Sequence, residues 1–148
     1  MNTKQELVIK VKKLLPEARM PTQAYEGDAG WDLYSTESFL LMPSLRRVVS
    51  TGISIEIPKG YEVQIRPRSG LAIKHGITVL NSPGTIDSGY RGELGVILIN
   101  HSSCQYHVQQ GMKIAQMVIK EIHKVTLEEV KTLSSSERED KGFASSGI

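Results

Sequence analysis

The chain has 148 residues, a length that suits one domain with a substantial core. Its 18 basic and 16 acidic residues give a formal net charge of +2 and are scattered along the chain, so nothing resembles a basic stripe for nucleic acid. A single cysteine, short apolar runs and a polar first segment predict a cytoplasmic protein with no intramolecular disulfide, membrane span or secretory signal.

Short apolar runs with a period of two residues recur between turn residues, and this pattern predicts β-strands. The runs are Leu7/Ile9/Val11, Ile53/Ile55/Ile57, Tyr61/Val63/Ile65 and residues 77–80, 96–99 and 115–119. Pro58-Lys59-Gly60 separates two of these runs and predicts a hairpin turn. Roughly ten short strands at this spacing favour an all-β sandwich, jelly roll or barrel, which we assign to residues 1–133.

Helix is scarce in this pattern. Residues 69–75 are compatible with a single helical turn. Residues 127–133 predict an edge strand, with a short helix as the alternative. From residue 134 to residue 148 the chain is polar and small apart from Phe143, which predicts a flexible C-terminal arm.

Asp28 and Asp32 stand four residues apart with small residues between them. Acidic pairs of this kind often only solvate a loop. The alternative is that one carboxylate helps to hold a hydrated Mg²⁺, an ion usually bound jointly by carboxylates and phosphates.

Arg68, Ser69 and Gly70 supply a guanidinium, a hydroxyl and a glycine amide at the start of the predicted helical turn. These donors suit an anion, although an arginine on a surface turn explains the same residues. Gln116 opens an otherwise apolar strand. Its amide needs a hydrogen-bond partner, which is either protein backbone or a ligand.

Residues 81–93 lie between two apolar runs and predict a hairpin that presents Asp87 and Tyr90 at its turn. Gly84 and two further glycines permit close approach of a ligand. Asp-Ser-Gly by itself is also ordinary turn chemistry, so the segment alone leaves a plain turn and a ligand pocket both open.

The arm contains Arg138 and Phe143, which are either ordinary tail residues or a lid that neutralises a phosphate and stacks on a base. The sequence has no phosphate-binding P-loop and no dinucleotide-binding glycine motif. Its four histidines and one cysteine show no zinc spacing.

Taken together, five segments resemble the ordered motifs of the trimeric dUTP diphosphatases: residues 28–33, 67–72, 84–92, 111–116 and 138–147. The resemblance implies a distorted jelly-roll, or β-clip, subunit of a homotrimer with active sites where subunits meet. It also implies hydrolysis of dUTP to dUMP and diphosphate with Mg²⁺, which limits uracil incorporation into DNA and supplies dUMP for dTMP synthesis.

The same resemblance assigns roles around the phosphates. Asp87 would activate the water that attacks the α-phosphorus. Asp32 would touch the metal through water. The phosphates would be bound by Ser69, Gly70 and Gln116, with electrostatic support from Arg68.

For the nucleoside, the resemblance implies that backbone groups around Gly84, Ile86 and Tyr90 read the uracil edge together with the amide of Asn81. Tyr90 would pack under the deoxyribose and leave no room for a 2′-hydroxyl. The remaining substrate-binding residues would be Thr85 in the hairpin, and Arg138 and Phe143 in the arm of a third subunit.

The arm departs from the family pattern, which usually has glycine at the position of Ala144 and threonine at that of Ser146. An alanine is acceptable only if its backbone needs no positive φ. Two other functions remain open. A dCTP deaminase would be expected to carry a catalytic glutamate where this chain has Asp87, and a nucleotide-gated interaction protein could use the same fold.

Overall fold

The computed structural model describes residues 5–147, which contain ten β-strands and one short helix. The helix is α1 (Ser69–His75), which confirms the predicted helical turn. No helix within these residues is long and apolar enough to cross a membrane. The strands are β1 (Lys10–Lys13), β2 (Gly30–Tyr34), β3 (Phe39–Leu41), β4 (Arg46–Glu56), β5 (Tyr61–Arg66), β6 (Ile77–Val79), β7 (Gly84–Ile86), β8 (Glu93–Asn100), β9 (Tyr106–Val108) and β10 (Lys113–Glu121).

Antiparallel pairing arranges these strands in three sheets. Sheet A has the order β1-β4-β8-β6, sheet B has the order β2-β10-β5-β7, and β3 pairs with β9. Buried side chains from all three sheets, among them Val96, Val63 and Val108, form one hydrophobic core. The all-β prediction is therefore confirmed.

Strand β8 illustrates how the sequence pattern forms this core. Leu94, Val96 and Leu98 are each about 1% exposed, whereas Gly95 between them faces outward. This alternation is the period of two that a strand with one buried face requires. Each such side chain contributes about 1.5–3 kcal/mol through removal from water.

The predicted hairpin over residues 81–93 is present, but between its two strands the chain leaves the sheet and pairs with another one. Strands β6 and β8 pair in sheet A, where Ile77 lies opposite Asn100. Between them the chain crosses to sheet B, where β7 pairs with β5 and Gly84 lies opposite Ile65. The loop that contains Asp87 and Tyr90 thus runs from the end of β7 in one sheet to the start of β8 in the other.

The predicted hairpin turn at Pro58-Lys59-Gly60 is wrong. A turn does form there, because the Tyr61 N–H donates to the Pro58 carbonyl at 3.3 Å. However, β4 belongs to sheet A and β5 to sheet B. Since β1 and β8 already occupy both edges of β4, no edge remains for β5 to pair with.

The strand predicted over residues 127–133 is also wrong, as is the alternative helix. Within the described chain this segment has neither, and Leu127 and Leu133 are 92% and 88% exposed. A strand needs a neighbour for its backbone groups, and residues 5–147 of one chain provide none here. Residues 134–147 of the predicted arm likewise form no helix or strand, and residue 148 lies outside the described residues.

Asn100 is a buried polar residue that joins three parts of the fold at the end of β8. Its side-chain nitrogen donates to the carbonyls of Leu41 and Cys104 at 2.9 and 2.8 Å. Its side-chain oxygen accepts the Ser102 N–H at 2.9 Å. Because all of these groups are partnered, the buried amide stabilises the connection from β8 to β9.

Replacing Asn100 by alanine should lower the free energy of unfolding by about 2–3 kcal/mol, because the carbonyls of Leu41 and Cys104 each lose the hydrogen bond from the Asn100 side chain. Urea unfolding at a fixed protein concentration measures the change. The control is Ser102→Ala, which leaves both bonds from the Asn100 nitrogen intact and should lower stability by less than about 1 kcal/mol. Equal midpoints for Asn100→Ala and the unmodified protein would contradict this account.

Candidate active site

A polar cleft of about 420 Å³ lies where β2, β10 and the start of α1 meet. Six of the residues that drew attention in the sequence line it. They are Asp28, Asp32, Arg68, Ser69, Gly70 and Gln116. The structure therefore brings together three segments that are far apart along the chain.

Asp32 is the charged centre of this cleft. Its side chain is only 15% exposed, and each carboxylate oxygen faces a cation. Arg68 Nε lies 3.4 Å from Oδ1, and Lys113 Nζ lies 3.2 Å from Oδ2. Asp28 also lines the cleft, so its two acidic and two basic side chains balance formally, and Arg68 and Lys113 are the groups that attract an anion there.

Lys113 is a further cleft residue that the sequence pattern does not mark. Strict alternation along β10 puts residues 113 and 116 on opposite faces of the sheet. The pairing of β10 with β2 shifts its register between Lys113 and Ala115, and both Lys113 and Gln116 line the cleft. A bulge of this kind re-aims a side chain and leaves no clear mark in the hydrophobic pattern.

The side-chain amide of Gln116 binds protein backbone, which is one of the two kinds of partner that the sequence left open. Its Nε2 donates to the Pro67 carbonyl at 3.0 Å, directly before Arg68. Its Oε1 fills the space beside Gly30, where an added Cβ would lie 2.0 Å away. The glycine of β2, the amide of β10 and the turn before α1 are therefore packed as one unit.

The start of α1 is open to solvent. Arg68 occupies the N-cap with extended backbone (φ −93°), and no side chain caps the helix. Ser69 and Gly70 are exposed, and a Cβ added at Gly70 would meet nothing within 4 Å. The first backbone N–H groups of a helix have no partner within it, so this turn presents donors to the cleft.

The loop that follows β7 holds the other predicted residues. Asp87 is exposed, and no side-chain hydrogen bond or ion pair engages its carboxylate within residues 5–147. The Tyr90 N–H donates to the Asp87 carbonyl at 3.1 Å, which closes a turn. Gly84 is buried, and a Cβ there would lie 3.2 Å from the Asn81 amide nitrogen. Thr85 is exposed and Ile86 is half-buried.

Neither this loop nor residues 134–147 of the arm line the polar cleft. Phe143 is fully exposed, with a relative accessibility of 109%. Among the described residues, the Arg138 side chain donates only to the Lys141 carbonyl of the arm itself, at 2.8 Å. Ala144 has a positive φ of +66°. The requirement that this alanine avoid positive φ is therefore not met in this conformation. In a single chain the predicted site residues thus lie in three different places: the polar cleft, the loop after β7 and the arm.

Comparison with known proteins defines the class of protein. The dUTPase family model matches residues 16–147. A deoxyuridine 5′-triphosphate nucleotidohydrolase of Clostridium tetani is 57% identical over 142 residues, which cover 96% of this chain and 98% of that protein. The corresponding protein of Clostridioides difficile is 55% identical over 140 residues, covering 95% and 98%. The chain is a nucleotide hydrolase, and it belongs to the dUTPase family.

Solved structures agree with this assignment. The dUTPase of Staphylococcus bacteriophage 80alpha with dUPNHPP superposes with a TM-score of 0.87 at 32% identity, covering 95% of this chain and 99% of that one. A mutant dUTPase from phage phi11 of S. aureus, described with a structural Mg(II) ion, gives 0.80 at 28% identity, covering 86% and 99%. The jelly-roll fold expected from the sequence is confirmed.

Replacing Gly30 by alanine should destabilise the protein by about 1–3 kcal/mol, since the new methyl group collides with the Gln116 oxygen 2.0 Å away. Thermal unfolding measures the loss. Adding Gln116→Ala should relieve the collision and restore part of the stability. Gly89→Ala, where a Cβ meets nothing within 4 Å, serves as the control and should unfold near the unmodified protein.

Proposed function

We propose that this dUTPase hydrolyses dUTP to dUMP and diphosphate in active sites that three copies of the chain build together. The observation that carries the proposal is the division of the site in one chain. The cleft contains the cationic side chains of Arg68 and Lys113. The loop carries the carboxylate of Asp87, which is unpaired among the described residues, and the arm exposes the aromatic ring of Phe143. None of these parts is sufficient alone. A shared site in a homotrimer would combine the cleft of one copy with the loop and arm of others.

The cleft is proposed to bind the triphosphate. Arg68 and Lys113 supply positive charge, and Ser69 and Gly70 present a hydroxyl and backbone donors. Gln116, held by the Pro67 carbonyl, fixes the turn from which these donors project. In-line attack on phosphorus depends chiefly on positioning and charge stabilisation, which is what such a cleft supplies.

Asp87 is proposed to be the general base that activates the attacking water. Its exposure and its lack of a partner among the described side chains support this role, because a base needs a free oxygen for the proton. The turn closed by the Tyr90 N–H and the Asp87 carbonyl fixes the backbone from which the carboxylate projects.

The loop is proposed to select the nucleoside. Strand β7 lies at the edge of sheet B, so one side of Gly84, Thr85 and Ile86 has backbone groups without a neighbouring strand. Free N–H and C=O groups beside the Asn81 amide suit the donor and acceptor pattern of a uracil edge. A cytosine would leave buried partners unpaired, which is unfavourable.

The cleft also suits a magnesium ion held by water and phosphate. No group of three histidine, cysteine or acidic side chains that could enclose a metal occurs within residues 5–147. Asp28 and Asp32 nevertheless line the cleft, and Mg²⁺ usually keeps several waters beside one or two carboxylates and the substrate phosphates. We propose that Asp32 contacts the ion through water, as the family resemblance implies. A bound Mg²⁺ would neutralise charge on the phosphates.

The arm, residues 134–148, is proposed to close over a site of the trimer with Arg138 and Phe143. Phe143 and Ala144 have φ values of +48° and +66°. A residue with a side chain in this region is disfavoured by about 1–2 kcal/mol. A closed arm that relaxes both angles would gain that amount at each of the two residues. A cytoplasmic location, where dUTP hydrolysis limits uracil in DNA and supplies dUMP, is part of the same proposal.

Product analysis tests the function directly. The protein with Mg²⁺ should release diphosphate and dUMP from dUTP and act poorly on dCTP, dTTP and UTP, because the loop is proposed to select base and sugar. Chromatography of the nucleotides and an ammonia assay separate this outcome from a deaminase. Ammonia from dCTP, or no diphosphate from dUTP, would reject the proposal.

Asp87→Asn should lower kcat at least about 100-fold while dUTP binds with nearly unchanged affinity, since the amide keeps the shape but accepts no proton. Turnover assays and titration calorimetry with dUTP measure the two quantities. An Asn variant that retains most of its turnover would remove Asp87 from the role of base.

The shared site can be tested with the same variant. Trimers of Asp87→Asn and trimers truncated after Leu133 should each be nearly inactive. Mixed trimers should regain activity, because some sites then combine an intact loop with an intact arm. No recovery after mixing and reassembly would indicate that each site belongs to one chain.

A further inference from the structure

The position of the Tyr90 ring depends on the backbone of Glu93. The Tyr90 hydroxyl donates to the Glu93 carbonyl at 2.9 Å, so the ring folds back over Gly92. A Cβ on Gly92 would lie 2.4 Å from the Tyr90 oxygen, so a larger residue there would displace the ring. Tyr90 is 46% exposed, and this hydrogen bond is the polar contact of its side chain within the described residues.

The side chain of Glu93 is bound in turn to the middle of β4. Its Oε1 accepts a short hydrogen bond from the Ser50 hydroxyl and a second one from the Gly52 N–H at 3.0 Å. These donors lie where the pairing of β4 with β8 shifts its register, between Ser50 and Ser54. Glu93, the first residue of β8, thus spans the point where the pairing of β8 with β4 shifts its register.

The β4 side of this contact is rigid. The Thr36 hydroxyl lies 2.8 Å from Ser50 Oγ, and the Thr36 N–H donates to the Ser50 carbonyl at 3.0 Å. Gly52 is buried with φ +68°, and a Cβ there would lie 2.9 Å from Ala18 Cβ. The donors to Glu93 are therefore held in place by contacts outside the loop.

Glu93 makes no ion pair within residues 5–147, and neither the phosphate cleft nor the proposed base needs it. We propose that Glu93 is a positioning residue that fixes the Tyr90 ring by tying the start of β8 to β4, and that the discrimination against a 2′-hydroxyl depends on this tie. The inference rests on the proposed function, because Tyr90 acts on the sugar only if the loop binds dUTP.

The tie favours dUTP over UTP because a fixed ring has a fixed distance to the sugar. A ring that can move away leaves room for the additional hydroxyl and packs less well under the deoxyribose. Loss of the carboxylate should therefore weaken dUTP more than UTP. A change in global stability alone has no reason to separate two substrates that differ by one oxygen.

The experiment compares Glu93→Ala with Glu93→Gln, which keeps an acceptor oxygen for Ser50 and Gly52. The alanine variant should lower the ratio of kcat/KM for dUTP to that for UTP about tenfold, mainly through a higher KM for dUTP. The glutamine variant should stay within about threefold of the unmodified protein. Amide hydrogen exchange of residues 87–92, measured without nucleotide, should be faster in the alanine variant and near normal in the glutamine variant.

An unchanged substrate ratio, unchanged exchange, or a glutamine variant as impaired as the alanine one would overturn the inference. If Glu93→Ala does not fold, Ser50→Ala removes one donor and should shift both readouts in the same direction. Failure of the unmodified protein to hydrolyse dUTP would reject the proposed function instead, and the exchange measurement would still decide whether Glu93 holds the loop.

Discussion

The pairing of β7 with β5 is the constraint on which the arrangement of this protein depends. It draws three residues out of a hairpin whose arms, β6 and β8, belong to the opposite sheet. The loop that carries Asp87 and Tyr90 is therefore attached at one end to sheet B and at the other to sheet A. Each attachment is a ladder of backbone hydrogen bonds, so the two ends of the loop are positioned by the packing of the two sheets.

Charge is arranged around the same framework. Asp32 on β2 faces Arg68 before α1 and Lys113 on β10, and the Gln116 amide binds the Pro67 carbonyl beside them. The carboxylate keeps two like charges close together, which would otherwise repel each other in a partly buried cleft. A cleft whose donors are already oriented needs little rearrangement when an anion enters, and this is the physical basis of electrostatic preorganisation.

The sequence predicted most strands because period-two patterns report burial on one face, as β8 demonstrates. It did not reveal which strands pair: Pro58-Lys59-Gly60 has the residues of a hairpin turn, yet β4 already has two neighbours. Residues 127–133 are apolar enough for a strand, but a strand also needs a partner. Most of the site residues stood out by their charge, donors or turn position, and the motif resemblance assigned their roles. Lys113 and Glu93 depend on register shifts, which hydrophobic periodicity does not encode.

The edge position of β7 has a consequence for solubility. An unpaired strand edge is a template on which another chain can add a strand, and long flat edges of this kind promote aggregation. Here the exposed edge is three residues long, and Pro83, which has no backbone N–H, directly precedes it. A strand of this length offers a foreign chain few hydrogen bonds, so the edge is a poor template for strand addition.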